Sequence, residues 1–311
     1  MKPTNDGGRD GHRCFLDLPP LKESKRLAAA YGCDLSIPND AGIGNILMYT
    51  RIVDDLARKF GRPLTILTAP LNPPSGPVEG CPYPLLENNP FAGKIVDANA
   101  IDSKIIVSIN REKDNLCQFN HMIENIAYHY DLRPRFLRPS IYLTEAEQTW
   151  AIHQLRGHPR PIICLHPHGT SSPLPGHPWY DENWKKLMLK LQGRATFLEV
   201  FKPDIESKNL RTVKIQSNLR QMMALVWASD LFIGFDSSMA HVATAFQLPA
   251  LVIWEPYRKL EIEELWQHGF APAALSRWSY PQNRNIILLG DRDNTVVQLI
   301  QSWAEDTIRL L

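Results

Sequence analysis

A serine and a histidine stand four residues apart just after a predicted strand in the second half of the chain. This strand, residues 231–233, leads through Asp236 to Ser237, where an alanine-rich helix that contains His241 begins. The unpaired N-terminal amides of such a helix carry the positive end of its dipole and bind phosphate groups. Ser237 and His241 share one helix face, so the imidazole can donate to the same anion. The segment therefore predicts an anion site, the alternative being that Asp236 or Ser237 only caps the helix and His241 is a core residue.

A loop rich in hydrogen-bond donors follows an earlier predicted strand. Its amide and hydroxyl groups can bind a phosphate or a sugar, and they belong to His168, Gly169 and Thr170. An ordinary polar turn is one alternative, and a zinc site that uses nearby groups such as Cys164 and His166 is another. Because alternate strand residues point to opposite faces, the zinc site is disfavoured, and we expect no bound metal.

Aromatic residues crowd the second half and offer surfaces on which a base or a sugar ring can stack. They are Trp179, Tyr180, Trp184, Trp254, Tyr257, Trp266, Trp278 and Tyr280. Most of them should be core residues. Trp254 and Tyr257 follow a strand end where a ligand is expected, which makes them the best stacking candidates.

The composition excludes several classes of protein. The 311 residues are enough for two domains, and 44% hydrophobic with 22% charged residues is typical of a globular protein. Lys plus Arg (34) nearly balance Asp plus Glu (33), so no global field attracts nucleic acid. The five cysteines form no CxxC pair, and neither a membrane-spanning run nor a signal peptide is recognisable, so we expect a cytoplasmic protein with reduced thiols. A P-loop is absent and the dinucleotide fingerprint is incomplete, which disfavours a dehydrogenase.

Strands alternate with helices along the chain, the pattern of parallel α/β sheets. In the first half, a strand at 35–38, a helix ending at Gly61 and a strand at 64–67 form a βαβ unit. The second half repeats the alternation, with strands at 162–165, 196–201, 231–233 and 250–254 and a last amphipathic helix at 293–311. We predict an N-terminal arm (1–30) and two facing Rossmann-like domains, 31–150 and 151–311, with the last helix packing back on the first. Ligands bind at the carboxyl ends of such strands, so we expect an interdomain cleft.

One specific motif and several weaker ones occur in a fixed order. The specific motif is Asp236-Ser237-x-x-x-His241, followed by its alanine-rich helix and the apolar run 248–254. The weaker ones are Gly42-Ile-Gly44-Asn45, the segments 121–125 and 139–143, and a glycine loop at 166–172 followed by a tryptophan-led helix at 179–184. From about residue 35 to 300, this order resembles the bacterial heptosyltransferases, glycosyltransferase family 9. The resemblance implies a GT-B fold with the nucleotide-sugar donor on the second domain and the acceptor on the first.

The resemblance also assigns roles to individual residues. It implies that the donor diphosphate meets Asp236, Ser237, Ser238 and His241. It places Glu206 where the family has a carboxylate that binds ribose hydroxyls, although a solvated loop charge is the simpler interpretation. It places Ser217 near the residue that contacts the base.

Two positions depart from the family pattern. Asn45 stands where the family has the aspartate that removes the proton from the acceptor hydroxyl, and an amide cannot act as that base. Asp40 is a substitute in the same loop; otherwise Asn45 only positions the acceptor, and the proton goes to water, to a substrate phosphate or to His121. His177 stands in place of a lysine that neutralises the leaving diphosphate, and an imidazole is mostly neutral at pH 7.

The residues and the resemblance together predict an inverting, metal-independent glycosyltransferase. It would move a heptose-like or other hexose sugar from a nucleoside-diphosphate sugar, its co-substrate, to a glycan, lipid-linked, small-molecule or protein acceptor. We expect no cofactor and no nucleic-acid partner, while a peripheral membrane contact is compatible with the sequence. The alternatives are a catalytically impaired nucleotide-sugar-binding partner protein and a GT-B sugar-nucleotide epimerase.

Overall fold

Two parallel sheets form the framework of the protein. The computed structural model describes residues 22–38, 42–71, 83–101, 121–167, 180–201, 210–254, 278–288 and 293–311. The smaller sheet has the order β1-β2-β3, with strands Leu35–Ser36, Leu64–Thr68 and Ala92–Asp97. The larger sheet has the order β6-β5-β4-β7-β8-β9; from β4 to β9 its strands are Ile162–His166, Thr196–Glu199, Val213–Lys214, Leu231–Phe235, Ala250–Trp254 and Arg284–Ile287. All pairings between neighbouring strands are parallel, which confirms the predicted α/β class.

The described residues also form nine helices. From α1 to α9 they span Lys22–Ala30, Ile43–Phe60, Ala98–Ile101, Met122–His129, Glu145–Gln154, Tyr180–Lys190, Leu219–Trp227, Ser238–Ala245 and Asp293–Leu310. Among the described residues, no helix combines the length and apolarity needed to span a membrane.

The strands β7 and β8 form the centre of the larger sheet because their sequences are apolar throughout. Every residue of both strands is buried, as expected for parallel strands that are covered on both faces. Gly234 in β7 is needed for close packing, since a Cβ there would lie 2.9 Å from the backbone oxygen of His166 in β4. The carboxyl end of β7 leads directly into α8, so the sheet fixes the position of the helix terminus that the sequence predicts to bind an anion.

Two details differ from the expected organisation. Residues 22–30, expected to belong to a loosely packed arm, form α1, and Ala28 is buried in a small cluster with Leu67 and Ala98. The last helix, α9, was expected to pack on the first domain. Its buried face instead packs with α6 and the larger sheet, because Val297 and Ile300 join a core cluster that contains Trp184. The proposed domain boundaries themselves stay predictions.

The largest apolar cluster contains residues from both halves of the chain. Tyr49 of α2 and Ile126 of α4 belong to it together with Val242 of α8 and Trp254 of β8. The helices α2 and α8 are in direct contact. The two sheets are therefore joined by shared apolar packing, which brings the first turn of α2 close to the start of α8.

A buried arginine adds a polar link between the halves. Arg220 in α7 donates to both carboxylate oxygens of Glu147, at 2.7 Å each, and to the backbone oxygens of Tyr142 (2.6 Å) and Pro84 (3.0 Å). Burial alone would raise the pKa of Glu147, but the bonds and charge of Arg220, with hydrogen bonds from Thr144, hold that pKa below its usual value. Glu147 is therefore ionised at pH 7, and both of its carboxylate oxygens accept hydrogen bonds from Arg220.

Candidate active site at the start of helix α8

The N-terminus of α8 carries an unsatisfied hydroxyl group. Ser237 is the N-cap residue by position, yet its side chain makes no capping hydrogen bond. Its Oγ is buried and has no hydrogen-bond partner among the described residues. A buried polar atom without a partner calls for an explanation, and the first amides of a helix also lack intrahelical partners. The hydroxyl and these amides together suit an anionic oxygen, as the sequence predicts.

His241 lies one turn further along α8 and is held in place by a tyrosine. Its Nδ1 lies 2.7 Å from the hydroxyl group of Tyr280, and both residues are buried. Burial, with a smaller effect of His121, lowers the pKa of His241 to about 3, so the imidazole is neutral at pH 7. Burial, with the nearby carboxylate of Asp236, holds the pKa of Tyr280 well above its usual range. His241 is thus both a core residue and a neutral hydrogen-bonding group at the predicted anion site.

The first turn of α2 approaches this helix terminus from the other half of the chain. A Cβ placed on Gly44 would lie 2.8 Å from Cδ2 and 3.0 Å from Nε2 of His241, so only a glycine fits here without displacing the ring. The next residue, Asn45, accepts a hydrogen bond at its Oδ1 from the indole Nε1–H of Trp278, at 3.0 Å. This contact leaves the NH₂ group of Asn45 available as a donor and gives its oxygen a structural partner.

His121 completes the arrangement from the N-terminus of α4. Its ring centroid lies 4.9 Å from that of Tyr280, and the His241 and Tyr280 centroids are 5.4 Å apart. Burial lowers the pKa of His121 to about 4. We refer to His121, His241 and Tyr280 as the His–Tyr cluster. It joins one imidazole from the first half of the chain to an imidazole and a phenol from the second.

The structure brings together only some of the predicted site residues. Asn45, Ser237, Ser238 and His241 lie around the start of α8, with Asp236 close enough to Tyr280 to influence its ionisation. Ser217 is half-buried in the loop before α7, and none of the described contacts links it to the cluster. The remaining predicted residues lie outside the described residues: Asp40, His168, Gly169, Thr170, His177 and Glu206.

Two aromatic residues have clearer roles than the sequence could assign. In the sequence, nothing distinguishes Trp278 and Tyr280 from the other aromatic residues of the second half. In the structure, Trp278 contacts Asn45 and Tyr280 contacts His241. Trp254, a preferred stacking candidate, is buried, and its Nε1–H donates to Oδ1 of Asn285 at 2.9 Å. The Asn285 amide in turn donates to the backbone oxygen of Tyr280, so Trp254 is linked to Tyr280 through Asn285. The other preferred candidate, Tyr257, lies outside the described residues.

The described part of the chain holds no group of three or more His, Cys, Asp or Glu side chains arranged to bind a metal ion. Cys33 and Cys164 are buried free thiols. Burial raises the pKa of the Cys164 thiol, which disfavours the thiolate that a metal ligand requires.

Comparisons with known proteins agree with this fold. The solved structure of E. coli ADP-heptose lps heptosyltransferase II has a TM-score of 0.61 at 14% identity, over 88% of this chain and 98% of that one. The glycosyl transferase family 9 structure from Veillonella parvula DSM 2008 has a TM-score of 0.63 at 12% identity, over 89% and 97%. The iron-containing dodecameric glycosyltransferase TibC from enterotoxigenic E. coli H10407 has a TM-score of 0.52 at 11% identity, over 88% and 74%. No curated protein sequence shows a significant match.

The parallel sheets thus define an α/β fold similar to that of the family 9 heptosyltransferases. Residues 137–269 match the family model described as Glycosyltransferase family 9 (heptosyltransferase). This match confirms the predicted resemblance to that family.

The buried histidines make folding sensitive to acid. Burial lowers the pKa of His121 from about 6.5 in the unfolded chain to about 4 in the folded protein. Between these values the unfolded chain binds the proton and the folded chain does not, so the unfolding free energy falls as the pH falls, by up to about 1.4 kcal/mol per pH unit for this ring. We expect urea unfolding at pH 5 to 7 to show a shallower pH dependence for His121→Asn than for the wild type. Equal slopes for the two proteins would contradict this.

Proposed function

We propose that this protein transfers a sugar from a nucleoside-diphosphate sugar to an acceptor hydroxyl with inversion at the anomeric carbon. The observation that carries the proposal is the buried, unpartnered Ser237 hydroxyl at the start of α8, next to the neutral imidazole of His241. A diphosphate supplies several acceptor oxygens for these donors. The family match over residues 137–269 supports a glycosyltransferase, and a structural relative is an ADP-heptose enzyme by name.

In this proposal, the start of α8 stabilises the leaving diphosphate without a metal ion. The helix amides, Ser237 and His241 would donate to its oxygens as negative charge develops on them, which lowers the barrier to transfer. His177 and the donors His168, Gly169 and Thr170 would bind the same group, while Glu206 and Ser217 would contact the nucleoside. TibC contains iron by name, but the described residues of this chain hold no group of three or more His, Cys, Asp or Glu side chains that could bind a metal ion, and the proposal assigns no step to a metal.

The acceptor hydroxyl needs a proton acceptor, which we propose to be Asp40. Asn45 cannot take this role, and the Trp278 hydrogen bond engages its oxygen. Asn45 would instead orient the acceptor through its NH₂ group.

The presence of Asn45, which cannot act as a base, favours a second candidate function, a nucleotide-sugar-binding protein that has lost catalysis. Product analysis with candidate sugar nucleotides separates the two: transfer to an acceptor supports the enzyme, whereas tight binding without turnover supports the binding protein.

Ser237→Ala tests the anion site directly. We expect this variant to bind nucleoside diphosphates about tenfold more weakly, because a hydrogen bond to a charged oxygen is lost. The measurement is calorimetric titration with ADP, GDP, UDP and TDP. Ser140→Ala is a matched control, since the Ser140 Oγ is also buried and without a partner among the described residues but lies in the segment before α5. Unchanged affinity in Ser237→Ala, or equal losses in both variants, would contradict the proposal.

A further inference from the structure

The proton of His121 can be located from its hydrogen bonds. His121 is the N-cap residue of α4, and its Nδ1 accepts the backbone N–H of Ile123 at 3.1 Å. Glu124 accepts the backbone N–H of His121 at 3.1 Å, which completes a capping box and fixes the orientation of the residue. A ring nitrogen that accepts a hydrogen bond has no proton of its own. In the neutral ring, therefore, the proton is on Nε2, and His121 presents a donor on that side.

That donor has no acceptor in the described structure. The Nε2 atom of His121 is buried, and no described residue forms a hydrogen bond with it. The residue is only 4% exposed, so bulk solvent does not reach this nitrogen. A buried donor without a partner is costly, and the few that persist in native proteins need a reason. The helix cap does not explain the unsatisfied Nε2 donor, because capping uses only Nδ1.

The unsatisfied donor lies in the same cluster as the proposed diphosphate site. The ring of His121 packs against Tyr280, and Tyr280 is hydrogen-bonded to His241 on α8. The hydroxyl group of Ser237, at the start of α8, is also buried and has no hydrogen-bond partner among the described residues. One ligand with several acceptor oxygens would satisfy both of them.

We propose that the Nε2–H group of His121 donates a hydrogen bond to an oxygen of the diphosphate bound at the start of α8. His121 is then a binding residue from the first half of the chain, and it does not receive the proton of the acceptor hydroxyl. A nitrogen that already carries a proton cannot accept one, and the other ring nitrogen is occupied by the helix cap. This inference rests on the proposed function and adds a neutral donor to its diphosphate site.

Two substitutions separate the binding role of His121 from its capping role. Asparagine places an oxygen near the position of Nδ1, so His121→Asn keeps the cap and removes the Nε2 donor. Glutamine reaches further and places an NH₂ group near the position of Nε2, so His121→Gln keeps a donor and weakens the cap. The binding role predicts that the Gln variant binds better than the Asn variant. A purely structural role predicts the opposite order.

The experiment is calorimetric titration of the full-length wild type and both variants with inorganic pyrophosphate and with ADP, GDP, UDP and TDP, with a melting curve for each protein. We expect His121→Asn to melt within about 2 °C of the wild type and to bind at least about tenfold more weakly. We expect His121→Gln to melt at a lower temperature and to stay within about threefold of the wild-type affinity. Nitrogen NMR of the wild-type imidazole at pH 7 should show the Nε2–H tautomer.

Other outcomes contradict the inference in distinguishable ways. Wild-type affinity in His121→Asn, the reverse order of the two variants, or an Nδ1–H tautomer would overturn the role of His121 and leave the proposed function intact. If the wild type binds none of these compounds, the proposed function fails and this inference fails with it.

Discussion

Gly44→Ala is expected to weaken nucleoside-diphosphate binding by at least about tenfold and to destabilise the fold by about 1–3 kcal/mol. The added methyl carbon would lie 2.8 Å from Cδ2 of His241, well inside van der Waals contact. The ring cannot move away cheaply, because it is buried and its Nδ1 is held 2.7 Å from the hydroxyl of Tyr280. The substitution must therefore push His241 away from Tyr280 or push α2 away from α8. Either movement disturbs the proposed diphosphate site.

Gly42→Ala provides a matched control at the N-cap of the same helix. A Cβ at Gly42 would meet nothing within 4 Å, and its φ of −61° suits any residue. This variant should bind nucleoside diphosphates like the wild type and lose at most about 1 kcal/mol, because alanine is a poorer N-cap residue than glycine. Calorimetric titration and urea unfolding of both variants check the comparison. Equal behaviour of the two would show that the Gly44–His241 contact is unimportant.

Arg220→Ala should have the largest effect on stability, a loss of about 3–5 kcal/mol. The substitution removes the partner of the half-buried carboxylate of Glu147 and leaves the backbone oxygens of Tyr142 and Pro84 without their donor. Burial makes this loss severe, since Arg220 is only 5% exposed and water cannot easily replace the guanidinium group. The expected result in urea unfolding is a strongly reduced midpoint.

An exposed ion pair supplies the comparison for Arg220. Arg309 and Asp306 in α9 are 3.3 Å apart with side chains that are 67% and 66% exposed. Arg309→Ala should change the unfolding free energy by no more than about 0.5 kcal/mol, because exposed pairs are screened by solvent. A loss of less than about 1 kcal/mol in Arg220→Ala would show that the buried link does not hold the segments together.

The features that the sequence predicts well are local. The strands β7 and β8 could be predicted because their residues are continuously apolar, and the start of α8 because Ser237 and His241 follow β7 at helical spacing. The short strand β9 has the sequence RNII, which carries little apolar signal, and it was missed. It pairs with β8 because β8 offers an open edge.

The partners of the predicted site residues could not be found in the same way. Tyr280 bonds to His241 across 39 residues, and no local pattern distinguishes it from the other aromatic residues of the second half. His121 was considered only as a proton acceptor, because its Nδ1 contact with Ile123 depends on the cap geometry of α4. Such roles are set by tertiary packing, which spacing along the chain does not encode.

The hydrogen bond between Trp278 and Asn45 has a consequence for how the site is assembled. It joins residues that are 233 positions apart, so closing it requires the chain to return almost from its end to its beginning. Closing such a long loop costs conformational entropy, and this cost is offset only after the sheets between the two residues have folded. During synthesis, the residues of helix α8 emerge before Trp278 and Tyr280. The hydrogen bond between His241 and Tyr280 therefore forms only after the residues of the helix have been made. The proposed diphosphate site is therefore complete only late in folding, once Trp278 and Tyr280 have joined it.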